Sequence, residues 1–409
     1  MPTLPAGCLL TGTENRRPSD DPGATTGFAS VTFVTVITLD AVTKRYGADS
    51  VAVNDLSLTV PDGEVSVLVG PSGCGKTTTL RMINRLIEPS SGRILIDDTD
   101  VLKMDPVQLR RSIGYVIQQG GLFPHRRVGD NVATVPRLLG WDKERVDHRV
   151  VELLELVGLD PESYRRRFPH ELSGGERQRV GVARALGGDP AILLMDEPFS
   201  AVDPVTRQRL QQELLQLQEK LKKTIVFVTH DIDEATILGD RIAVLSKGAH
   251  VEQYDTPSQV LGRPATAFVA DFVGADRGVR RLAVMPINAD SLFHPPEVSP
   301  EISMLDARAA AAGADSRWAV VVDDGSRLKG WVDLEPSLTG SVEDNLVAFE
   351  IQVPLGTSLR AAFGEMLQHD VHWIPVVDGD RYLGVLTPNS LHASVRRSVG
   401  GRPVESRDL

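Results

Sequence analysis

The sequence predicts an α/β fold in which a parallel sheet covered by helices is followed by a smaller α/β domain. Up to about residue 275, apolar runs of strand length, such as 65–70 and 191–195, alternate with stretches of helical periodicity. This alternation is typical of parallel strands that are joined by helices and buried on both faces. Beyond residue 280 the pattern changes, and two similar segments follow one another.

Length and composition limit the possible functions. The chain of 409 residues is long enough for two or three domains with separate cores. Hydrophobic residues make up 41% and charged residues 24%, as in ordinary globular proteins. The formal net charge is −11, whereas neutralising nucleic-acid phosphates requires an excess of Lys and Arg. We therefore expect no nucleic-acid partner.

Neither end of the chain resembles a folded segment. Residues 1–35 are rich in small and polar residues and lack the basic and apolar regions of a signal peptide, so a disordered leader is predicted. Residues 396–409 are predicted to be a flexible tail. Cys8 and Cys74 lie far apart in unlike contexts, which gives no basis for a disulfide. No apolar run approaches the roughly 20 residues that span a bilayer, so a membrane role requires a partner protein.

A glycine-rich loop, GPSGCGKTT, lies between a predicted strand and a predicted helix. It satisfies the phosphate-binding pattern G-x-x-x-x-G-K-[ST], in which glycines allow backbone N–H groups to surround a β-phosphate. Lys76 places a cation near the β- and γ-phosphate oxygens, and the Thr77 hydroxyl can bind Mg²⁺. The predicted phosphate-binding loop consists of Gly70, Pro71, Ser72, Gly73, Cys74, Gly75, Lys76, Thr77 and Thr78.

The helix after this loop is predicted to reach residue 87. Leu80, Ile83, Leu86 and Ile87 fall on one helical face before the sequence EPSSG interrupts the periodicity. Helical patterns also dominate residues 120–175, which we predict to form a helical subdomain.

The apolar strand at 191–195 is followed by two carboxylates, Asp196 and Glu197. In a parallel sheet such groups emerge at the carboxyl edge, beside the phosphate-binding loop. Asp196 could hold Mg²⁺, directly or through water, and Glu197 could act as the general base for an attacking water. A further predicted strand, 224–230, ends in His230.

A second pair of glycines occurs in LSGGERQ, at the start of a predicted helix. Ser173 can cap this helix, and the amides of Gly174 and Gly175 offer positive potential to an anion. Together with the phosphate-binding loop and the strand that ends in Asp196, this order of motifs resembles the nucleotide-binding subunits of ABC transporters. The resemblance covers about the first 275 residues.

The resemblance implies an ATPase that binds ATP and Mg²⁺ and acts as a head-to-tail homodimer. Ser173, Gly174 and Gly175 of each subunit would then contact the γ-phosphate of ATP bound by the partner's loop. Other positions match the family pattern by resemblance alone. They are Tyr46 as the aromatic that stacks on adenine, Gln118 as the glutamine that senses Mg²⁺ and the attacking water, His230 as the switch histidine, and Asp203 at the dimer seam.

Within this family, residues 113–143 and the C-terminal repeat resemble the ATPases that drive bacterial uptake of quaternary-amine osmoprotectants such as glycine betaine, choline or carnitine. That resemblance implies an ABC permease and an extracytoplasmic substrate-binding protein as partners, at the cytoplasmic face of the cell membrane. Two alternatives remain open. One is an importer for amino acids or another small solute, and the other is a soluble ABC ATPase that acts on DNA or the ribosome.

Residues 280–395 contain a weak internal repeat that resembles a tandem CBS module. Its copies include WAVVVDDGSRLKGWV, which begins at Trp318, and WIPVVDGDRYLGVL, which begins at Trp373. CBS modules that bind adenosine ligands generally carry an Asp where this chain has Pro336 and Ser390. The module is therefore expected to dimerise or to sense ionic strength rather than to bind adenosine.

Overall fold

The computed structural model describes most of the chain. The predicted leader and tail lie almost wholly outside the described residues, and so does Gln118. The described ranges are 35–47, 50–117, 121–200, 202–314 and 316–397.

Within these ranges the strands form four sheets. In chain order the strands are β1 (Ile37–Tyr46), β2 (Ser50–Val60), β3 (Val65–Val69), β4 (Ser91–Ile96), β5 (Thr99–Asp100), β6 (Ile113–Val116), β7 (Ile192–Asp196), β8 (Thr224–Thr229), β9 (Arg241–Ser246), β10 (His250–Asp255), β11 (Glu297–Val298), β12 (Trp318–Val322), β13 (Leu328–Asp333), β14 (Val353–Pro354), β15 (Ile374–Asp378) and β16 (Arg381–Leu386).

In the described part of the chain, every helix is too short or too polar to span a bilayer. In chain order the helices are α1 (Lys76–Ile83), α2 (Pro106–Ser112), α3 (Val128–Val132), α4 (Thr134–Leu138), α5 (Lys143–Leu156), α6 (Pro161–Tyr164), α7 (Gly174–Ala185), α8 (Pro204–Leu221), α9 (Ile232–Leu238), α10 (Pro257–Gly262), α11 (Ala267–Val273), α12 (Arg277–Val284), α13 (Met304–Ala311), α14 (Leu359–Gln368) and α15 (Pro388–Arg397).

The central sheet has the strand order β10-β9-β3-β8-β7-β6. Strands β9, β3, β8, β7 and β6 run parallel, and β10 pairs antiparallel with β9 at the edge. All residues of β3, β7 and β8 are buried, as expected for strands covered on both faces. The predicted parallel α/β fold is confirmed. Because β8 lies between β3 and β7, the carboxyl ends of these three strands meet at one edge.

A second, antiparallel sheet with the order β2-β1-β4-β5 covers one face of the central sheet. Val53 and Leu56 of β2 share a buried cluster with Leu80 of α1 and with Leu68 and Leu194 of the central sheet. Helix α1 is thus held between the two sheets, which fixes the position of the loop that precedes it.

Helix α1 is shorter than predicted. It ends at Ile83, and Arg85 takes a left-handed backbone conformation with φ of 46°. The N–H of Leu86 donates to the carbonyl of Arg81, and the N–H of Arg85 donates to that of Met82. This pair of bonds is the Schellman arrangement that closes a helix. The prediction that Leu86 shares one helical face with Leu80 and Ile83 is therefore wrong, and Leu86 is 46% exposed.

The segment predicted as a helical subdomain contains α3, α4, α5 and α6. Val146, Val150 and Leu153 of α5 belong to the buried cluster that includes Val67 and Val69 of β3. These helices therefore share a core with the central sheet.

The C-terminal part contains two small three-stranded sheets with corresponding strand orders, β11-β12-β13 and β14-β15-β16. In each sheet the first two strands are parallel and the last two antiparallel, and a helix, α13 or α14, connects the first pair. The internal repeat predicted from the sequence is thus present. The two copies meet where Arg327 and Arg381 form a β-bridge and where the N–H of Tyr382 donates to the carbonyl of Ser326 at 2.9 Å.

Helix α12 connects the ATPase-like part with the repeats. Its Leu282 packs against the buried cluster of the second repeat, and Val284 packs against the core of the central sheet. Arg280 Nε lies 3.0 Å from Asp233 Oδ1 in α9, the helix that follows His230. Helix α12 therefore contacts the second repeat, the core of the central sheet and α9.

Candidate active site

The phosphate-binding loop requires glycine at two positions. A Cβ atom on Gly70 would lie 2.2 Å from the carbonyl oxygen of Leu245, and one on Gly75 would lie 2.5 Å from that of Ala52. Gly75 also has φ of 116°, in a region that L side chains rarely adopt. The close approach of β2 and β9 therefore fixes the course of the loop.

The remaining loop residues differ in exposure. Cys74 is buried, and its N–H donates to the carbonyl of Pro71 at 3.3 Å. Thr78 is half-buried on α1. The exposed rim of the loop consists of Pro71, Ser72 and Gly73.

Lys76 opens helix α1 and turns its side chain back into the loop. Its ammonium group donates to the carbonyl of Gly70 at 2.7 Å and to that of Pro71 at 3.0 Å. The side chain is buried, with 5% of the residue exposed. The loop thus surrounds a fixed cation at the N-terminal end of a helix, where backbone N–H groups add positive potential.

Thr77 joins the loop to the end of β7. Its Oγ1 donates to Asp196 Oδ1 at 2.8 Å, and the Tyr115 hydroxyl lies 3.5 Å from Asp196 Oδ2. Burial raises the pKa of Asp196, whereas the Thr77 hydrogen bond and the charge of Arg81 lower it in part. Burial also raises the pKa of Tyr115 to about 12, so its hydroxyl keeps its proton at neutral pH.

The residues at this junction suit Mg²⁺, which favours oxygen ligands and binds through one or two protein groups, phosphate oxygens and water. Thr77 and Asp196 supply a hydroxyl and a carboxylate at one point. Among the described residues, no group of three or more His, Cys, Asp or Glu side chains could hold a metal ion. The donor set therefore fits a metal that substrate phosphates help to bind.

Glu197 and His230 lie together at the ends of β7 and β8. His230 Nδ1 is 3.2 Å from Glu197 Oε1. Glu197 takes a left-handed conformation with φ of 45°, and its N–H donates to the carbonyl of Val228 at 3.0 Å. Unusual backbone conformations of non-glycine residues often occur at functional sites. Here the conformation follows directly after the buried strand and places the carboxylate beside the imidazole.

Ser173 forms a reciprocal cap at the start of α7. Its N–H donates to Glu176 Oε2 at 2.7 Å, and its Oγ accepts from the Glu176 N–H at 3.3 Å. Ser173 and Gly174 are exposed. Gly175 is buried, and a Cβ there would lie 2.7 Å from Thr206 Cγ2. The start of α7 therefore presents capped but accessible backbone groups.

Asp203 lies next to this segment. Its Oδ1 accepts from the Thr206 N–H at 3.0 Å and so caps α8, against which Gly175 packs. Among the contacts of the described residues, those of Ser173, Gly175 and Asp203 are made with α7 and α8 rather than with the phosphate-binding loop. The structure thus forms two separate groups of predicted site residues. One lies at the phosphate-binding loop and the ends of β7 and β8, and the other lies at the starts of α7 and α8.

Tyr46 ends β1, opposite Ser50 of β2. Its ring is 48% exposed, and Lys44 Nζ lies 5.2 Å from the ring centroid. Ala52, two residues beyond Ser50, contacts the loop at Gly75. Tyr46 is therefore on a hairpin adjacent to the phosphate-binding loop.

Sequence reasoning missed Tyr115 and Arg81. Tyr115 lies on β6, in register with Leu194 of β7, which turns its hydroxyl towards Asp196. Arg81, whose charge lowers the pKa of Asp196, follows Thr77 by four residues, one helical turn. This spacing could have indicated that the two side chains lie on the same face of α1. The role predicted for Gln118 falls outside the described residues.

Together, the fold and the site define a P-loop ATPase followed by a C-terminal module of two similar repeats. The family model described as "ABC transporter" matches residues 53–200, and the one described as "CBS domain" matches residues 350–395.

Curated relatives match most of the chain. The carnitine transport ATP-binding protein OpuCA of Listeria monocytogenes is 44% identical over 373 residues, which cover 90% of this chain and 94% of the relative. The osmoprotectant import ATP-binding protein OsmV of Salmonella typhimurium is 44% identical over 361 residues, covering 86% and 94%. The chain belongs to the family of ABC transporter ATP-binding proteins. It is therefore an enzyme that binds and hydrolyses ATP, as predicted.

A solved structure supports the fold. The cbiO1 protein of Clostridium perfringens, described as part of the ABC transporter complex cbiONQ, is 28% identical. The match has a TM-score of 0.52 and covers 56% of this chain and 90% of that one.

Proposed function

We propose that the chain couples ATP hydrolysis to the import of quaternary-amine osmoprotectants through a separate membrane permease. The observation that supports the proposal is the extent of the similarity. The glycine betaine/carnitine/choline transport ATP-binding protein OpuCA of Bacillus subtilis is 44% identical over 90% of this chain and 98% of its own length. The match therefore includes the C-terminal module as well as the ATPase.

Nucleotide binding is assigned to the phosphate-binding loop and to Tyr46. The loop amides and the Lys76 ammonium group would contact the β- and γ-phosphates, and the exposed Tyr46 ring would stack on adenine. Thr77 and Asp196 would hold Mg²⁺, which neutralises charge that develops on the phosphates.

Hydrolysis is assigned to Glu197 and His230. A water oxygen attacks the γ-phosphorus, the bond to ADP breaks, and Glu197 accepts a water proton. The 3.2 Å contact with His230 would hold the Glu197 carboxylate in place, and the exposed side of the imidazole would contact the γ-phosphate. The role of Gln118 in sensing Mg²⁺ and the attacking water stays a prediction.

A complete site requires two copies of the chain. Ser173 and Gly174 are exposed at the start of α7 and belong to a different group from the loop that holds ATP. In a head-to-tail homodimer, these residues and Gly175 would contact the γ-phosphate on the partner, with Asp203 at the seam. The catalytic groups would then be enclosed only after the two copies meet.

The remaining partners are an ABC permease and an extracytoplasmic substrate-binding protein. The complex would place the ATPase at the cytoplasmic face of the membrane. The proposal is tested by uptake of labelled glycine betaine, choline and carnitine into vesicles that contain the complete transporter and internal ATP. We expect ATP-dependent accumulation that Glu197→Gln abolishes, because the carboxylate that accepts the proton is removed. Accumulation of an amino acid instead, with none of the quaternary amines, would contradict the proposed cargo.

Glu197→Gln also separates binding from hydrolysis. The amide keeps the shape of the carboxylate, so the variant should bind ATP and fail to turn it over. Hydrolysis at the native rate would rule out the role assigned to Glu197.

A further inference from the structure

The two C-terminal repeats enclose a cleft, here called the aromatic cleft, that is lined by Trp331, Phe349, Glu350, His372 and Trp373. Its volume of about 360 Å³ lies within the range of small-molecule sites. The cleft is separate from the ATP site and belongs to neither repeat alone.

Three ring systems form its walls. The ring of Trp331 stands at 84° to that of Trp373, with centroids 6.0 Å apart, and Phe349 stands at 82° with centroids 5.3 Å apart. Trp318 stacks on one face of Trp373 at 4.0 Å and 7°. Because Trp318 covers that face, the cleft meets the remaining surface of Trp373.

The walls are fixed by backbone contacts. Trp331 and Val347 exchange two N–H to carbonyl hydrogen bonds of 2.9 Å, which tie the segment that carries Phe349 to β13. Trp373 directly precedes β15, and its ring is held by the stack with Trp318. The rings are therefore preorganised rather than gathered by a ligand.

The charge of the cleft is acidic. The Glu350 carboxylate is 74% exposed at the rim, and His369 Nδ1 lies 3.9 Å from its Oε2. Among the described residues that line the cleft, none is Lys or Arg. An anion would thus find no permanent positive charge there, whereas a cation would find a carboxylate and three π systems.

These features select a particular kind of cation. Aromatic faces attract cations through the ring quadrupole, and recognition of quaternary ammonium groups by aromatic cages is the best-known use of this attraction. Such a group has an apolar methyl surface and no N–H to satisfy, so apolar walls suit it. A primary ammonium or a metal ion would instead lose hydration without gaining enough hydrogen bonds or ligands.

We propose that the aromatic cleft binds a small quaternary-ammonium solute of the choline type. This second site lies outside the ATP site and the permease pathway. It would allow the ATPase to respond to the solute concentration on its own side of the membrane. Binding to the cleft is independent of the proposed cargo, because it needs neither a permease nor transport.

The test uses the full chain without nucleotide and without permease, with choline chloride and tetramethylammonium chloride as probes. Binding is measured by calorimetry and by tryptophan fluorescence, since two of the four tryptophans line the cleft and a third, Trp318, stacks on Trp373. We expect saturable binding of both probes. The neutral choline analogue 3,3-dimethyl-1-butanol should show no saturable binding, and neither should sodium chloride at equal ionic strength.

Phe349→Leu removes one ring and keeps an apolar side chain. We expect it to weaken choline binding about five- to tenfold, as the loss of one cation–π contact implies. Glu350→Gln should weaken it about two- to fivefold by removing the rim charge. The matched control is Phe363→Leu on α14, which changes an exposed ring away from the cleft and should leave the affinity unchanged.

Several results would overturn the proposal. Equal binding of the neutral analogue would show hydrophobic binding alone, and unchanged affinity in a folded Phe349→Leu variant would place the site elsewhere. A saturable fluorescence change on addition of adenosine monophosphate, with none on addition of choline, would assign the cleft to a nucleobase. If choline binds to the cleft but is not taken up, only the proposed cargo is contradicted. If choline is taken up but does not bind to the cleft, only the proposed second site is contradicted.

Discussion

Replacing Thr77 by Val tests the link between the phosphate-binding loop and the carboxylate at the end of β7. Thr77 Oγ1 donates to Asp196 Oδ1 at 2.8 Å, and Asp196 is 6% exposed. A hydrogen bond to a charged group contributes about 1.5–3 kcal/mol, and a buried charge that loses its partner keeps its desolvation cost. Val and Thr have nearly the same shape. We therefore expect Thr77→Val to lower the free energy of unfolding by about 2 kcal/mol at neutral pH.

The effect should depend on pH in a defined direction. Burial raises the pKa of Asp196, and the Thr77 bond offsets part of this rise, so the variant raises this pKa further. A carboxyl whose folded pKa exceeds its unfolded pKa loses stability as pH rises between the two values. The interval between the unfolded and the folded pKa of Asp196 is wider in the variant than in the native chain. The deficit relative to the native chain should therefore grow from acid to neutral pH and shrink below the unfolded pKa of Asp196.

The assay is thermal unfolding of the nucleotide-free chain at neutral and at mildly acidic pH. A deficit of about 2 kcal/mol corresponds to a fall in Tm of roughly 4–8 °C for a domain of this size. Thr78→Val, one residue further along α1, is the matched control because it removes the same hydroxyl group at a different position. An equal fall in Tm at both pH values, or an equal effect of Thr78→Val, would refute the reasoning.

Two further substitutions test other contacts. Lys76→Ala removes the cation of the phosphate-binding loop and should weaken ATP binding about tenfold or more, as measured with a fluorescent ATP analogue; unchanged affinity would contradict the contact. Arg280→Met removes the pairing with Asp233 and the hydrogen bond to the carbonyl of Val273, so the free energy of unfolding should fall by about 1–2 kcal/mol. Arg277→Met, at an exposed position of the same helix, should change the free energy of unfolding by less than about 0.5 kcal/mol. If calorimetry shows the same loss of stability in both variants, the role assigned to Arg280 is wrong.

Motif order predicted much of the site because it specifies strand ends. A strand followed by a glycine loop fixes where Lys76 lies, and an apolar strand followed by carboxylates places Asp196 and Glu197 at the same edge. His230 follows β8, the strand that lies between β3 and β7. These positions depend on parallel topology alone, which the alternating pattern of strands and helices determines.

Other features depend on how separate elements pack. A tyrosine in a strand gives no sign of what its hydroxyl meets, so the approach of Tyr115 to Asp196 required the register between β6 and β7. The repeat indicated that Trp318 and Trp373 are equivalent, but their stacking at 4.0 Å depends on the placement of two sheets. Leu86 was wrongly placed on the same helical face as Leu80 and Ile83 because the helix closes through the backbone of Arg85, whose side chain carries no terminating signal.

The most direct measurement of the central claim is ATPase complementation between two inactive variants. One carries Lys76→Ala and keeps its Ser173 segment, and the other carries Ser173→Glu and keeps its phosphate-binding loop. Each homodimer would have two defective sites, whereas a mixed dimer would combine one intact loop with one intact Ser173 segment. If the site is composite, an equal mixture should recover about a quarter of native turnover, since half of the dimers are mixed and each has one working site. Turnover no higher than that of either variant alone would contradict a site that is shared between two copies of the chain.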